Sequence, residues 1–197
     1  MPRGKRGERR QSILETLARM LAERSGERIT TAELAKAVGV SEAALYRHFP
    51  SKAKMLEALL DFIEESLFSR INRILTEEPN AEARIRNILF LILGFADKNP
   101  GMARLLTGDV LTGETERLRK RVVQIYERIE AQLKQVLREA DLNQTQRAAI
   151  PETAGLLLAF IEGRIARFVR SEYRDSPVTG WEKQWDMLKA SFRLLAV

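Results

Sequence analysis

TTAELAKAVGVSEAALYRHFPSK, running from Thr30 to Lys52, is the stretch that decides the fold. Thr30 is followed three residues later by Glu33, the capping-box pattern that opens a helix, and Leu34, Ala35 and Val38 give that helix an apolar face. The spacing predicts a short helix from about Thr31. Gly39 can take the positive φ of a sharp turn, while Ser41 and Glu42 put a cap and an acid at the positive end of the next helix dipole. A second short helix is expected from Glu42 to about Phe49, where Pro50 stops it. Upstream, from Arg9, Ile13, Leu17, Met20 and Leu21 recur at intervals of three and four, predicting a bracing helix that ends near Ser25-Gly26. Two short helices joined by a glycine-containing turn and braced by a third are the parts of a helix-turn-helix.

Leu34, Ala35, Val38, Val40 and Leu45 supply the faces that lock the two short helices together, which leaves Ala43, Ala44, Tyr46, Arg47 and His48 to meet solvent or DNA. Small side chains at Ala43 and Ala44 let the backbone of a recognition helix approach base edges in a major groove. Tyr46 either packs or, beside Arg47, His48 and Lys52, clamps a phosphate. Thr30 and Thr31 stand at a helix N-terminus, where capping and phosphate contact are compatible roles.

Downstream, Ser51 caps a longer helix carrying Leu56, Leu60, Ile63, Leu67, Ile71 and Ile74 on one stripe until Glu78-Pro79. Helical periodicity continues over 81–98, 100–111, 114–140, 151–173 and 181–196, punctuated at Asn99-Pro100, Gly108, Gly113, Pro151, Pro177 and Gly180. The stretch 141–150 is polar without an apolar period and reads as a loop. The class is all-α, with a DNA-binding domain over 1–50 and a helical dimerisation and partner-binding domain over 51–197.

Composition narrows the function. The chain of 197 residues has no cysteine and a single histidine, so disulfides, thiolate chemistry, zinc fingers and Ser-His-Asp hydrolysis lack their residues. No D-x-D cluster, Gly-rich phosphate loop or G-x-S-x-G elbow is present. Neither an enzyme nor a cofactor or metal site is expected. No stretch approaches the roughly 20 apolar residues of a spanning helix, and the basic N-terminus has no apolar run behind it, which predicts a cytoplasmic protein. Of the net charge of +6, residues 1–50 carry +4, from ten Lys+Arg against six Asp+Glu. That excess is either a solvated tail or an electrostatic footprint for phosphates.

The segments Thr30 to Ala35, Val38 to Ser41 and Ala44 to Lys52 resemble the TetR-type helix-turn-helix family almost without departure. The resemblance implies an Ω-shaped homodimer of nine-helix subunits, each with a three-helix head and a body whose last two helices form a four-helix bundle with the partner. On the matching positions it implies DNA contacts from Thr30, Thr31, Ser41, Ala43, Ala44, Tyr46, Arg47, His48 and Lys52, on a near-palindromic duplex. Further segments, Phe62 to Leu67, Ser69 to Asn72, Asn99 to Gly101, Glu127 to Leu133 and Arg167 to Glu172, look like the nucleoid occlusion factors within that family. Such proteins bind chromosomal DNA and antagonise the tubulin-like division protein FtsZ, which implies a nucleoid-associated location. The likeness fades at 109–114 and 141–150.

A second face is left over by the core pattern. On the helix from Ser51, Phe62 falls away from the apolar stripe, beside Ser66, Ser69 and Arg73, and is expected to be exposed; Arg70 lies at the stripe's edge. Over 81–98, Ile85, Ile88, Leu89 and Ile92 mark one face, while Leu91, Gly94 and Lys98 share another with Arg84 and Asn87. Glycine within a helix costs about 1 kcal/mol relative to alanine, so Gly94 either permits close packing in a fully buried helix or opens a surface. The resemblance implies the second. It matches Phe62, Arg70, Leu91, Gly94, Lys98 and Asn99 to an FtsZ-binding surface, with a lysine at 98 where arginine is usual; the C-terminal tail of FtsZ is the expected ligand. The competing expectation is a ligand-released repressor of the ordinary TetR kind. Phe90, Phe95, Met102, Tyr126 and Phe160 are its candidate pocket lining, but such residues are more often core than site, and none is assigned to a pocket.

Overall fold

The computed structural model describes residues 3–23, 29–111 and 116–193, with the side chains of 7–23, 29–111 and 116–190. Among the described residues every regular element is helical: α1 Arg3–Glu23, α2 Thr31–Val38, α3 Glu42–His48, α4 Lys52–Glu77, α5 Ala81–Lys98, α6 Pro100–Thr107, a 3-10 turn Asp109–Leu111, α7 Glu116–Glu139, α8 Gln144–Ala148, α9 Ile150–Arg170 and α10 Trp181–Arg193. The expected stop at Ser25-Gly26 and the punctuation at Gly113 lie outside the described residues. None of the described helices is long and apolar enough to cross a membrane.

Several elements depart from expectation. α1 begins at Arg3, ahead of the start expected at Arg9. The polar stretch 141–150 contains α8, built by capping rather than by an apolar period. Asn143 accepts from the Gln146 amide at 2.9 Å while Gln146 accepts from the Asn143 amide at 2.9 Å, and no side chain of the helix is buried. With it the described residues form ten α-helices, one more than the nine that the resemblance implies. The helix expected to reach 173 ends at Arg170, because Glu172 and Tyr173 turn left-handed at φ 52° and 65° and their amides close back onto the Val169 and Phe168 carbonyls.

The chain forms two compact units. The first comprises Met1–Glu64 and Asn99–Val122, the second Glu65–Lys98 and Val123–Val197. The 1–50 head lies wholly within the first, together with the start of α4, α6 and the start of α7.

In the first unit Ile13, Leu17, Leu34, Leu45, Phe49, Met55, Leu56 and Leu60 are buried together as one core. α6 packs on α1 with no side chain between the backbones at the crossing: a Cβ built on Gly101 would lie 2.1 Å from the Ala18 carbonyl oxygen. Three residues on, Arg104 is buried, donating from Nη1 to the Leu21 carbonyl at 2.7 Å and pairing with Asp109 at 3.0 Å. The Leu21 carbonyl is among the last in α1, so Arg104 satisfies an acceptor that the helix itself leaves open. Arg121 at the start of α7 donates to Asp61 at 2.9 Å and to Glu64, and Arg117 to Glu57, fixing the first turns of α7 to the first half of α4 within this unit.

The second unit is organised on α9, whose Ala154, Leu157, Ile161 and Ile165 are buried in a core with Ile88, Leu89, Ile92, Ile125, Ile129 and Leu133. The Arg128 guanidinium lies 3.8 Å from the centre of the Phe68 ring. Arg164 ties α9 to the loop before α10, donating to the carbonyls of Ser176, Pro177 and Thr179 at 3.0 to 3.1 Å. Trp181 at the start of α10 sits among Phe90, Phe160 and Trp185, with ring centres 5.6 to 6.5 Å apart.

Gly101→Ala should therefore lower stability by about 2 kcal/mol or more, the upper part of the overpacking range, since the obstacle is backbone and cannot rotate away. Urea denaturation of this variant beside Gly94→Ala, where an added Cβ meets nothing within 4 Å, provides the comparison. Equal midpoints for the two would overturn the close α1–α6 approach.

Candidate nucleic-acid interface and partner face

The head is assembled by its caps. Thr30 caps α2: its Oγ1 accepts from the Glu33 amide at 3.2 Å and donates to the Glu33 carboxylate at 2.8 Å, and the Thr30 amide donates to the same carboxylate at 2.9 Å. Gly39 ends the helix at φ 77°, its amide closing on the Lys36 carbonyl, and Val40 closes on Ala35. Ser41 caps α3 by accepting from the Ala44 amide at 3.2 Å. Ser51 does the same for the Lys54 amide at the head of α4. Each cap satisfies a donor that would otherwise lack a partner, contributing about 1 kcal/mol.

Leu45 and Phe49 bury one side of α3, so Ala43, Tyr46 and Arg47 share the exposed side, with Ala44 and His48 half-buried at its edges. The bulk is low where the helix begins and rises toward its end. Lys52 follows at the first residue of α4 and is half-buried. One relay was not visible in the sequence: the Tyr46 hydroxyl donates to Thr31 Oγ1 at 3.2 Å, and Thr31 donates to the Glu42 carboxylate at 3.0 Å. The start of α2 is thereby tied to the start and middle of α3. Glu42, expected only to complement a dipole, orients Thr31, and Thr31 orients an aromatic that stays 43% exposed.

In the second unit, Asn87, Leu91, Gly94 and Lys98 fall on one face of α5 at spacings of four, three and four. Lys98 is exposed, Leu91 and Gly94 are half-buried, and the space over Gly94 is open. Gly94 is therefore not a close-packing device within the chain. Leu91 and Asn87 share a cleft of about 380 Å³ with Arg70, Arg73, Ile74, Glu77 and Glu78. The cleft brings Arg70 and Leu91 together, whereas Gly94 and Lys98 continue along α5 outside its lining. Phe62 and Asn99 belong to the first unit; Phe62 is 45% exposed, as its position off the apolar stripe predicts, and Asn99 sits at the N-cap of α6.

Residues 13–59 match the bacterial regulatory proteins of the tetR family, and residues 79–193 match the SlmA-like tetracyclin repressor-like C-terminal domain. Among curated proteins, the nucleoid occlusion factor SlmA of Marinomonas sp. is 59% identical over 96% of this chain and 98% of its own. That of Shewanella woodyi is 56% identical over 90% of this chain and 91% of its own. The chain belongs to the SlmA family of nucleoid occlusion factors. Solved structures share the fold at lower identity. A TetR regulator from Haloarcula marismortui has a TM-score of 0.74 at 22% identity, covering 93% of this chain and 98% of its own. A transcriptional regulator from Rhodococcus sp. has a TM-score of 0.76 at 19% identity, covering 94% and 96%. As a member of the SlmA family the chain is a helix-turn-helix DNA-binding protein, and α2 and α3 are that motif.

Tyr46→Phe separates two uses of the hydroxyl. Loss of one exposed hydrogen bond should cost stability no more than about 1 kcal/mol, so the urea midpoint should hardly move while affinity for DNA falls. Intact affinity together with a larger loss of stability would assign the hydroxyl to the fold alone.

Proposed function

We propose that the chain binds near-palindromic sites on the chromosome as a homodimer and, while bound, engages FtsZ and inhibits Z-ring assembly over the nucleoid. The observation that carries this reading is the match at 59% identity over 96% of the chain to a nucleoid occlusion factor, a span that takes in the body as well as the head. That match favours division control over the ligand-released repressor. The protein then works in the cytoplasm, held at the nucleoid.

Residues 1–50 serve as the reading module. Ala43 and Ala44 admit the helix to base edges, and Thr30, Thr31, Ser41, Tyr46, Arg47, His48 and Lys52 position it on the backbone. Thr30 and Ser41 already spend their side-chain oxygens on caps, so a phosphate would meet the free backbone amides at those helix starts. Residues 51–197 carry dimerisation and partner binding, completing an Ω-shaped dimer. α9 and α10 supply the dimer face. Leu156 and Met187 are 52% and 72% exposed there, and Gly163 has open space around it.

FtsZ is engaged through Arg70, Leu91, Gly94 and Lys98. The open surface at Gly94 lets a peptide lie against the helix, Leu91 gives apolar contact, and Arg70 and Lys98 meet the acidic groups of an FtsZ tail. Lysine keeps the charge without the forked geometry of arginine, so Arg70 is the stronger anchor. Phe62 and Asn99 are proposed contacts by resemblance.

Two measurements test this. Leu91→Glu, and separately Gly94→Phe, should abolish binding of an FtsZ tail peptide and leave DNA affinity unchanged, while Gly94→Ala should raise stability by up to about 1 kcal/mol. Wild type that ignores the peptide, with and without DNA, and leaves FtsZ polymerisation untouched would return the chain to the repressor reading. Gly163→Leu should shift the protein from dimer to monomer in sedimentation at micromolar concentration; a dimer of unchanged strength would place the interface elsewhere.

A further inference from the structure

The contacts proposed for the head leave the base edges to Ala43 and Ala44, whose methyl groups neither donate nor accept a hydrogen bond. One further side chain stands on the same side of α3. At about 100° per residue, Glu42, Ala43, Tyr46 and Arg47 fall within an arc of about 140°, and all four are exposed, while Leu45 on the other side is buried. Glu42 is the only acid in α3.

Its carboxylate is held in place. Thr31 donates to Glu42 Oε2 at 3.0 Å and accepts from the Tyr46 hydroxyl at 3.2 Å, so one hydroxyl at the start of α2 bridges two side chains a turn apart on α3. Among the described residues Glu42 Oε1 takes no hydrogen bond, and no cation pairs with the carboxylate. The dipole of α3 favours an acid at its first residue. That accounts for the charge and leaves unexplained why a relay fixes the carboxylate on the side turned to DNA.

A carboxylate there is repelled by phosphate oxygens and by every acceptor on a base edge. In the major groove guanine presents the acceptors N7 and O6, thymine the acceptor O4 beside a methyl group, and adenine the N6 donor beside the N7 acceptor. Cytosine alone presents an amino donor, N4, with no acceptor next to it on the same base. The first residues of a recognition helix are also those that meet base edges.

We propose that Glu42 is a base-reading residue, whose Oε1 accepts from the N4 amino group of one cytosine in each half-site while Thr31 holds Oε2. It rests on the DNA-binding reading of the head and adds to it a side chain that discriminates among bases. Rejection is part of the device, since any other base sets an acceptor against the fixed carboxylate.

The test uses the full chain and a duplex that the wild type selects from a random pool. Each half of the selected site should contain a cytosine whose replacement by any other base lowers affinity about tenfold, the scale of one good base contact. N4-methylcytosine at that position keeps its pairing hydrogen and carries a methyl group where the groove-facing hydrogen was; it should weaken wild-type binding to the same degree. Glu42→Ala should lose the preference at this position alone, bind methylated and unmethylated sites equally, and bind random duplex more tightly than wild type, because a negative charge has left the surface. The methylated duplex reads the contact in the unaltered protein, so the answer does not depend on how the variant folds. Wild type that is indifferent to the methyl group at every selected cytosine overturns the proposal. So does a Glu42→Ala variant that weakens on all duplexes alike, which would make Glu42 a support for Thr31 and Tyr46 only. Wild type that selects no site at all fails the DNA reading itself, a different result from a selected site insensitive to methylation.

Discussion

Gly101 meets the backbone of Ala18 with nothing between them, and much of the first unit follows from that contact. Helices with side chains at the crossing stand about 8–10 Å apart. Removing the Cβ lets α6 come close enough for Arg104 to reach across and donate to the Leu21 carbonyl. A buried guanidinium needs such partners, since leaving the charge without them costs several kcal/mol. Asp109, in the turn that follows α6, supplies the counter-charge. One small residue therefore sets a backbone approach, the approach sets a hydrogen bond, and the bond holds the last turn of the helix that braces α2 and α3.

From α1 outward the head is a sequence of local satisfactions. Thr30, Ser41 and Ser51 each close a helix start, and Gly39 closes the turn between α2 and α3. The carboxylates at the head's edge are shared between elements. Glu42 holds Thr31, and Glu57 takes hydrogen bonds from Lys54 and Arg117. The bond from Lys54 and the charges of Arg117 and Arg121 keep the Glu57 carboxyl below its ordinary pKa against the opposing effect of burial. Glu57 thus stays ionised, and its contribution is lost only as pH falls through that lowered value.

What the sequence discloses is what local chemistry determines. Capping pairs at spacing three, the positive φ at Gly39 and the apolar stripes of α1, α4 and α5 are each set within one or two turns; α2 to α5 fall where spacing predicts, and α1 runs further toward the N-terminus than its apolar period. The helix–turn–helix order follows. The relay through Tyr46, Thr31 and Glu42 joins residues eleven and fifteen apart across two elements, and no periodicity encodes it. α8 escapes for the opposite reason, being so short and so polar that only its Asn143–Gln146 box reports it. The left-handed turn at Glu172 and Tyr173 ends α9 without glycine, so the usual stop signal is missing. In the partner face, the outward position of Phe62 was legible from helical phase. The cleft that joins Arg70 to Leu91 required the packing of α5 along α4.

The small residues of the helices sort by what surrounds them. Glycine in a helix interior is disfavoured against alanine by about 1 kcal/mol. At Gly101 that cost is offset inside the chain, because a methyl group has no room and its absence brings two helices into contact. At Gly94 and Gly163 there is open space, and a methyl group would meet nothing. Packing within the subunit therefore gives no reason for glycine at either position, and intrinsic propensity gives a reason against it. A surface that is open, lies on a regular helix and bears a locally unfavourable residue is what close approach by a second chain requires. α5 and α9 share this feature although one is proposed to receive a peptide and the other a copy of itself, since both kinds of partner need a backbone they can approach.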